Sequence, residues 1–163
     1  MKLSPLLAET EIDGVYCLLA ICAKMADTHV TTFSMNKNFD GWNELKKKIH
    51  ANDNCLPRYT EREVRWCRLG ANLGFEIDGV GDGFARPVVI LKRLSRRLCL
   101  VVPLTTTLKP GRYHLPLGQI GGRQASAIIS QLRVIDTRRL DRQIAVMDDE
   151  LFRHVRNSIK KML

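Results

Sequence analysis

Arg86 opens the run Arg86-Pro-Val-Val-Ile-Leu91 and directly follows a stretch rich in glycine and acid, residues 70–85. Thr105 and Thr106 stand at the end of a second apolar run, Leu98–Thr105. In an antiparallel hairpin the start of one strand lies beside the end of the next. A fixed guanidinium and a hydroxyl then meet at one rim of a small barrel, beneath the loop. A guanidinium there can bind a phosphate bidentately and stabilise charge on a pentacovalent phosphorus, while a threonine hydroxyl hydrogen-bonds a non-bridging oxygen. The plainer alternative is structural, with Arg86 paired to Glu76 or Asp82 and Thr105 capping a strand. His114 is a candidate acid or base, or a structural strand histidine; His29, His50 and His154 have no evident partners.

Other chemistries lack their residues. There is no Walker loop, no HExxH, no GxSxG and no pair of carboxylates at metal spacing. Gly79-Val-Gly-Asp-Gly83 looks like a nucleotide-binding glycine loop, but no helix follows it to receive a phosphate. The five cysteines, at 17, 22, 55, 67 and 99, form no CxxC and no cluster with histidine at zinc spacing. Free thiols suit a reducing cytosol, with Cys67 and Cys99 read as small buried hydrophobes. Neither a metal nor a cofactor is expected, and the localisation expected is cytoplasmic.

The 163 residues suit one domain rather than two, and 45% hydrophobic with 26% charged residues is an ordinary globular balance. The net charge of +9 favours a polyanionic partner. That charge is unevenly divided: residues 1–34 hold two basic and four acidic side chains, whereas 35–163 hold 24 and 13, a net of +11. Residues 1–34 show no clean helical or strand period, and are read as an extension, dispensable or packed on the domain, with the functional module starting at Met35. The apolar run Val15–Ala23 is under half the roughly 20 residues a membrane span needs. Glu9, Glu11 and Asp13 precede it where a secretory signal needs positive charge, so no membrane association is expected.

The elements that must position these side chains follow in order. From Asn38 a helix is expected, with Phe39, Trp42, Leu45 and Ile49 as its stripe, Glu44 four residues before Lys48, and Lys46–Lys48 on its outer side. Turn formers at 52–57 link it to a strand over Glu63–Leu69, with Trp66 as its large core candidate. Gly70–Ala85 is expected to be a mobile functional loop. Arg86–Leu91 reads as a central strand, Leu94–Arg97 as a basic turn, and Leu98–Thr105 as the next strand. Lys109-Pro-Gly-Arg112 suits a type II turn into another hairpin, Gly118–Arg123 turns the chain again, and Ala125–Ile135 is a fifth strand. Asp136–Leu140 reads as one capped helical turn. A last helix begins at Asp148, Asp149 and Glu150, is striped by Leu151, Val155, Ile159 and Met162, and closes with Lys160 and Lys161. Five short strands with tight turns suggest a small, strongly bent antiparallel barrel.

Four blocks of residues resemble the MazF/PemK family of bacterial toxins: Glu63–Gly70 leading to Gly74-Phe-Glu76; Arg86-Pro-Val-Val-Ile90; Val102-Pro-Leu-Thr-Thr106; and Ser130–Asp136 with Arg139-Leu140 and the final helix. The resemblance implies an α+β, mainly β fold: an SH3-like barrel over residues 62–163 with a C-terminal helix. Ahead of the barrel the expected organisation is a helix and linker over 35–61, making the N-terminal extension helical there, preceded by the extension over 1–34. It further implies a homodimer, a metal-independent and sequence-specific endoribonuclease acting on single-stranded RNA, and an antitoxin that blocks the RNA groove. Operator DNA is a further partner, reached through the toxin–antitoxin complex. By position, the catalytic arginine would be Arg86 and its partner Thr105. The ribose 2′-hydroxyl would attack the adjacent phosphate to leave a 2′,3′-cyclic phosphate and a 5′-hydroxyl. RNA-binding or supporting roles fall to Glu76, Thr106, His114, Gln131 and Arg133, and phosphate contacts to Lys92, Arg93, Arg96 and Arg97.

The chain departs from the family pattern at two places. Ile77 stands where many relatives carry glutamine, and Ser130 where some carry an acid. Two other readings compete. A gyrase poison of the CcdB type would share the barrel, but that family's Trp-Gly-Ile tail is absent here, where the last residues are Lys-Lys-Met-Leu. A catalytically dead RNA- or protein-binding barrel would have no need of Arg86 and Thr105 together.

Overall fold

The computed structural model describes residues 37–52, 56–108 and 111–163. The extension expected over 1–34 lies outside the described residues, as do Lys109 and Pro110 of the expected type II turn. Helix α1 spans Phe39–Ala51, and its N-cap Asn38 accepts a 2.8 Å bond from the Gly41 amide through its side chain. Of the expected stripe only Trp42 is buried, while Phe39 is 45% exposed. Glu44 pairs with Lys47 at 2.8 Å, three residues on, rather than with Lys48.

Seven strands follow: β1 (Glu63–Arg68), β2 (Ala85–Arg93), β3 (Leu98–Thr105), β4 (His114–Ile120), β5 (Arg123–Ile128), β6 (Arg133–Asp136) and β7 (Leu140–Val146). Helix α2 (Asp149–Met162) ends the chain. All the strand pairs are antiparallel, in the order β4-β5-β3-β2-β1-β7, and β6 adds to β3. One end of β3 therefore pairs with β6 and the other with β5, which is how a single sheet curls into a partial barrel. Two expectations change here. The run Ala125–Ile135 is not one strand, because a 3₁₀ turn at Ile129–Gln131 breaks it into β5 and β6. The strand β7, which completes the pairing of β1, was not among the five expected.

Alternation explains the two sides of the core. Val89 and Leu91 of β2 face a cluster with Val64, Val102, Leu104 and Phe152, Val155 and Ile159 of α2. Val88 and Ile90 face a second cluster with Tyr59, Cys67, Cys99 and Val101. Strand β2 is covered on both faces, so it reads as a continuous apolar run rather than an alternating one. Each fully buried valine or isoleucine in it contributes about 1.5–3 kcal/mol. Burial pushes the Cys67 thiol up to about 12 and the Cys99 thiol to about 11, which keeps both protonated and unreactive at neutral pH.

Helix α2 is N-capped by Asp148, whose side chain accepts from the Leu151 amide at 2.8 Å. Its acidic first turn and basic last turn both suit the macrodipole. The short turn Thr137–Arg139 is capped by Asp136, which also holds Arg138 through both carboxylate oxygens. This pairing pulls the Asp136 carboxyl below its ordinary range. Among the described residues, no helix is long and apolar enough to cross a membrane.

Candidate functional site

Strands β1 and β2 pair Cys67 with Arg86, and β2 and β3 pair Val88 with Pro103. The β2–β3 pairing ends at that pair, Thr105 pairs instead with Ser126 of β5, and on β2 the residue two before Val88 is Arg86. Its side chain is half-buried and anchored to backbone: Nε donates to the Asp78 carbonyl at 2.6 Å, and Nη1 reaches the Leu104 carbonyl at 3.5 Å. Nη2 has no partner among the described residues. Burial lowers the pKa of the guanidinium and the Asp78 carboxylate opposes the shift, yet an arginine remains charged at any working pH. The pairing of Arg86 with Glu76 or Asp82 is thus replaced by a bond to a main-chain carbonyl. The Thr105 hydroxyl accepts from the Thr107 amide at 3.1 Å, a local turn that fixes its oxygen at the strand end.

Arg86 and Thr105 line one cleft of about 1000 Å³, together with Thr106, His114 and Gln131. The Nδ1 of His114 is buried and has no hydrogen-bond partner among the described residues. Glu76, Arg133 and again Gln131 line a second, shallower depression of about 660 Å³, and Ser130 and Gln131 belong to both. Lys92, Arg93, Arg96 and Arg97 line neither. They sit around the β2–β3 turn, at the far end of β2 from Arg86; the six residue steps from Arg86 to Lys92 span about 20 Å. There Lys92 pairs with Glu61 at 3.1 Å and Arg93 stacks over Tyr59, 5.6 Å from its ring centre.

The loop from Gly70 to Phe84 is not the slack tether its glycines suggest. Gly79 donates to Gly70, and Val80 bridges to Ala85, so that the loop closes on itself like a small ribbon. A Cβ at Gly79 would lie 1.7 Å from the Phe84 carbonyl oxygen, which is why only glycine serves there. The Asn72 amide donates to Asp78 Oδ1 at 2.6 Å, and the Asn72 side chain donates to the Ile77 carbonyl at 2.8 Å. Gln131 holds the loop from the other side: its Oε1 accepts from the Ile77 amide at 3.2 Å and its Nε2 donates to the Phe75 carbonyl at 3.4 Å. Backbone so heavily cross-bonded opens less readily than a free loop.

Trp66 lies not in the core but on the wall of the Arg86 cleft, half-buried beside Pro87. Phe75 is fully exposed at the cleft rim. Arg123 and Arg142 add positive charge to the same cleft. Phe75, Arg123 and Arg142 were not anticipated as site residues. Phe75 was legible as an aromatic beside the loop acid; Arg142 required recognising β7, whose Asp-Arg-Gln interior hides the strand pattern.

A family model described as the PemK-like, MazF-like toxin of type II toxin-antitoxin systems matches residues 60–163. The chain belongs to this family. Among solved structures, the MazF toxin of Deinococcus radiodurans is similar at 19% identity and a TM-score of 0.54, over 67% of this chain and 97% of that one. That likeness shows that the PemK/MazF fold is shared. The Mycobacterium tuberculosis toxin MazF-mt6 is similar at 20% identity and a TM-score of 0.47, over 61% of this chain and 94% of that one. No curated protein matches the chain. Helix α1 lies outside the residues that the PemK/MazF model matches, whereas the whole of the Arg86 cleft lies within them.

Proposed function

We propose that this PemK/MazF toxin is an endoribonuclease that cleaves single-stranded RNA in the Arg86 cleft, and that a cognate antitoxin inhibits it. The observation that carries the reading is the backbone-anchored guanidinium of Arg86 and the Thr105 hydroxyl on the walls of one cleft. Such a pair suits a reaction whose nucleophile belongs to the substrate. The ribose 2′-oxygen bonds to the adjacent phosphorus, the bond from phosphorus to the 5′-oxygen breaks, and the products are a 2′,3′-cyclic phosphate and a 5′-hydroxyl. The 2′-hydroxyl proton leaves and the 5′-oxygen gains one, and His114 is the imidazole at hand in the cleft to assist.

The protein's task is then to orient the RNA and stabilise the transition state. Arg86 meets the charge that grows on the non-bridging oxygens, and its anchoring removes the cost of reorienting it during reaction. Thr105 donates to one of those oxygens. Phe75 and Trp66 offer ring faces on which splayed bases stack, and Arg123 and Arg142 meet flanking phosphates. The active form is a homodimer, and the basic surface suits the acidic antitoxin.

Mapping of RNA ends tests this. Incubated with mixed-sequence single-stranded RNA in EDTA, the protein should release fragments with 5′-hydroxyl and 2′,3′-cyclic phosphate ends at a recurrent short sequence. Intact RNA, or ends carrying a 5′-phosphate, would refute the reading.

A further inference from the structure

Helix α1 packs against the loop that anchors Arg86, and the contacts form an unbroken chain. Lys37, two residues before the helix, has a side chain only 11% exposed. Its Nζ donates to the Asn72 carbonyl at 2.7 Å and the Gly74 carbonyl at 3.0 Å, and pairs with Asp78 Oδ2 at 2.9 Å. All three bonds of the ammonium thus go into the loop. The other carboxylate oxygen of Asp78 accepts from the Asn72 amide, and the Asp78 carbonyl accepts from Arg86 Nε. One residue therefore ties Lys37 to the guanidinium: its carboxylate faces the lysine and its carbonyl faces the arginine.

Trp42 performs the same service at the loop's ends. Gly70, where the loop begins, has φ +94°, and a Cβ there would come within 2.3 Å of the Trp42 ring. Phe84, where the loop ends, holds a left-handed φ of +47° that a residue of its size rarely adopts, and its ring lies 5.7 Å from that of Trp42. Such a conformation persists where the surroundings impose it. Arg139 covers Trp42 from the barrel side, with its guanidinium carbon 5.4 Å from the ring centre, and Arg138 donates to the His50 carbonyl near the helix's last turn. The helix is thus fastened to the barrel at one side and to the loop at the other.

We infer that Lys37 and Trp42, from outside the segment that the PemK/MazF model matches, are positioning residues of the active site, holding the Gly70–Phe84 loop so that Asp78 fixes the Arg86 guanidinium. Lys37 carries the electrostatic part. Its three partners are loop oxygens, so its charge serves the loop and not the substrate. A misplacement of a catalytic group by about 1 Å costs on the order of 10²-fold in rate, which sets the scale of the effect. The inference rests on the endoribonuclease reading for its kinetic test, and has a second test that does not.

The experiment uses the full chain with Lys37→Met, which keeps the apolar stem and removes the ammonium. Trp42→Phe, which keeps an aromatic ring, serves as the second variant. For Lys37→Met, kcat for RNA cleavage should fall at least tenfold while KM stays within twofold. The salt dependence of RNA affinity should be unchanged, since a lysine that met phosphates would lower its slope. Lys37→Arg should restore part of the rate. Independently, the ¹⁵N–¹H signal of Arg86 Nε should shift and exchange faster with water in Lys37→Met. A kcat within threefold of wild type, a loss confined to KM, or an unmoved Arg86 signal would overturn the assignment. A wild-type chain that leaves RNA intact refutes the nuclease reading instead, and the Arg86 signal then decides the brace alone. If Lys37→Met does not fold, the same signal and rates in Trp42→Phe decide, with an at least threefold loss of kcat expected and wild-type behaviour overturning it.

Discussion

The two ends of strand β2 are both basic and do different things. At one end Arg86 is half-buried, tied by Nε to a main-chain carbonyl, and set over a cleft with a hydroxyl, an imidazole and two aromatic rings on its walls. At the other, Lys92 and Arg93 project from an exposed turn, where Glu61 and Tyr59 take up their charge. A count of basic residues scores the second end higher. Fixed geometry favours the first, because a guanidinium that need not reorient stabilises developing charge far better than one that is solvated and mobile. Excess positive charge indicates what kind of partner approaches; anchoring indicates where chemistry happens.

The largest effect should come from breaking the anchored end. Arg86→Ala should lower kcat by about 10²–10³-fold, the usual loss when one transition-state donor is removed. Arg86→Lys should recover little, since a lysine lacks the fork that lets one nitrogen hold the Asp78 carbonyl while another meets phosphate. Single-turnover cleavage with an unchanged melting temperature would separate chemistry from folding. A loss smaller than tenfold in Arg86→Ala would show that the two ends do not differ as described. Thr105→Val keeps the shape and removes the hydroxyl, and should cost about 10-fold to 100-fold, the range for a hydrogen bond to a charged group of about 1.5–3 kcal/mol. The effect should fall on kcat. A pure change in KM would make Thr105 a binding residue only.

A smaller effect, on binding, should come from Phe75. Stacking of one base on an aromatic ring contributes about 1–3 kcal/mol, so Phe75→Ala should raise KM about tenfold with kcat little changed. Phe75→Trp should keep or improve affinity, and 2-aminopurine placed beside the scissile phosphate should be quenched by the wild type but not by Phe75→Ala. Equal quenching in both would remove Phe75 from the RNA path.

The anchored end was largely legible in the sequence, and the reasons are physical. Arg86-Pro begins a continuous apolar run, and a strand covered on both faces requires such a run, so the position of β2 and its neighbour β3 followed from hydrophobicity alone. Antiparallel geometry placed Thr105 and Arg86 at one rim, and in the structure both line the same cleft. What the pattern hid was the state of the loop. Five glycines among residues 70–85 suggested mobility. In the structure Gly70 and Gly79 are there for close approach, to Trp42 and to the Phe84 carbonyl, so the composition that usually loosens a chain here lets it pack tightly. Trp66 misled for a related reason: a large aromatic in a strand usually fills a core, but its neighbours Val64 and Cys67 do that here, leaving Trp66 on the cleft wall. The break of Ala125–Ile135 into two strands has no local marker. Its cause is tertiary, because β3 pairs with β5 through Leu104 and Thr105 and with β6 through Leu98–Val101, and the connection must cross between them.

The smallest effect should come from the exposed end, and it should depend on the length of the RNA. Lys92 lies about 20 Å along the strand from Arg86, and Arg96 lies in the turn that follows. An oligonucleotide short enough to lie wholly in the cleft has no phosphate near them, so Lys92→Ala with Arg96→Ala should leave its cleavage within twofold of wild type. A longer single strand leaving the cleft can pass the turn, and there each cation that meets a phosphate contributes about 0.7 to the slope of log affinity against log salt. The double variant should therefore bind a long RNA less tightly at low salt, with a slope reduced by about 1.4, and match wild type at high salt. Equal loss on short and long RNA would mean that these cations act on the cleft itself, through the strand or the fold. No loss on either would mean that the tip meets something other than RNA, and titration with an acidic peptide would then show the same salt-sensitive difference between variant and wild type.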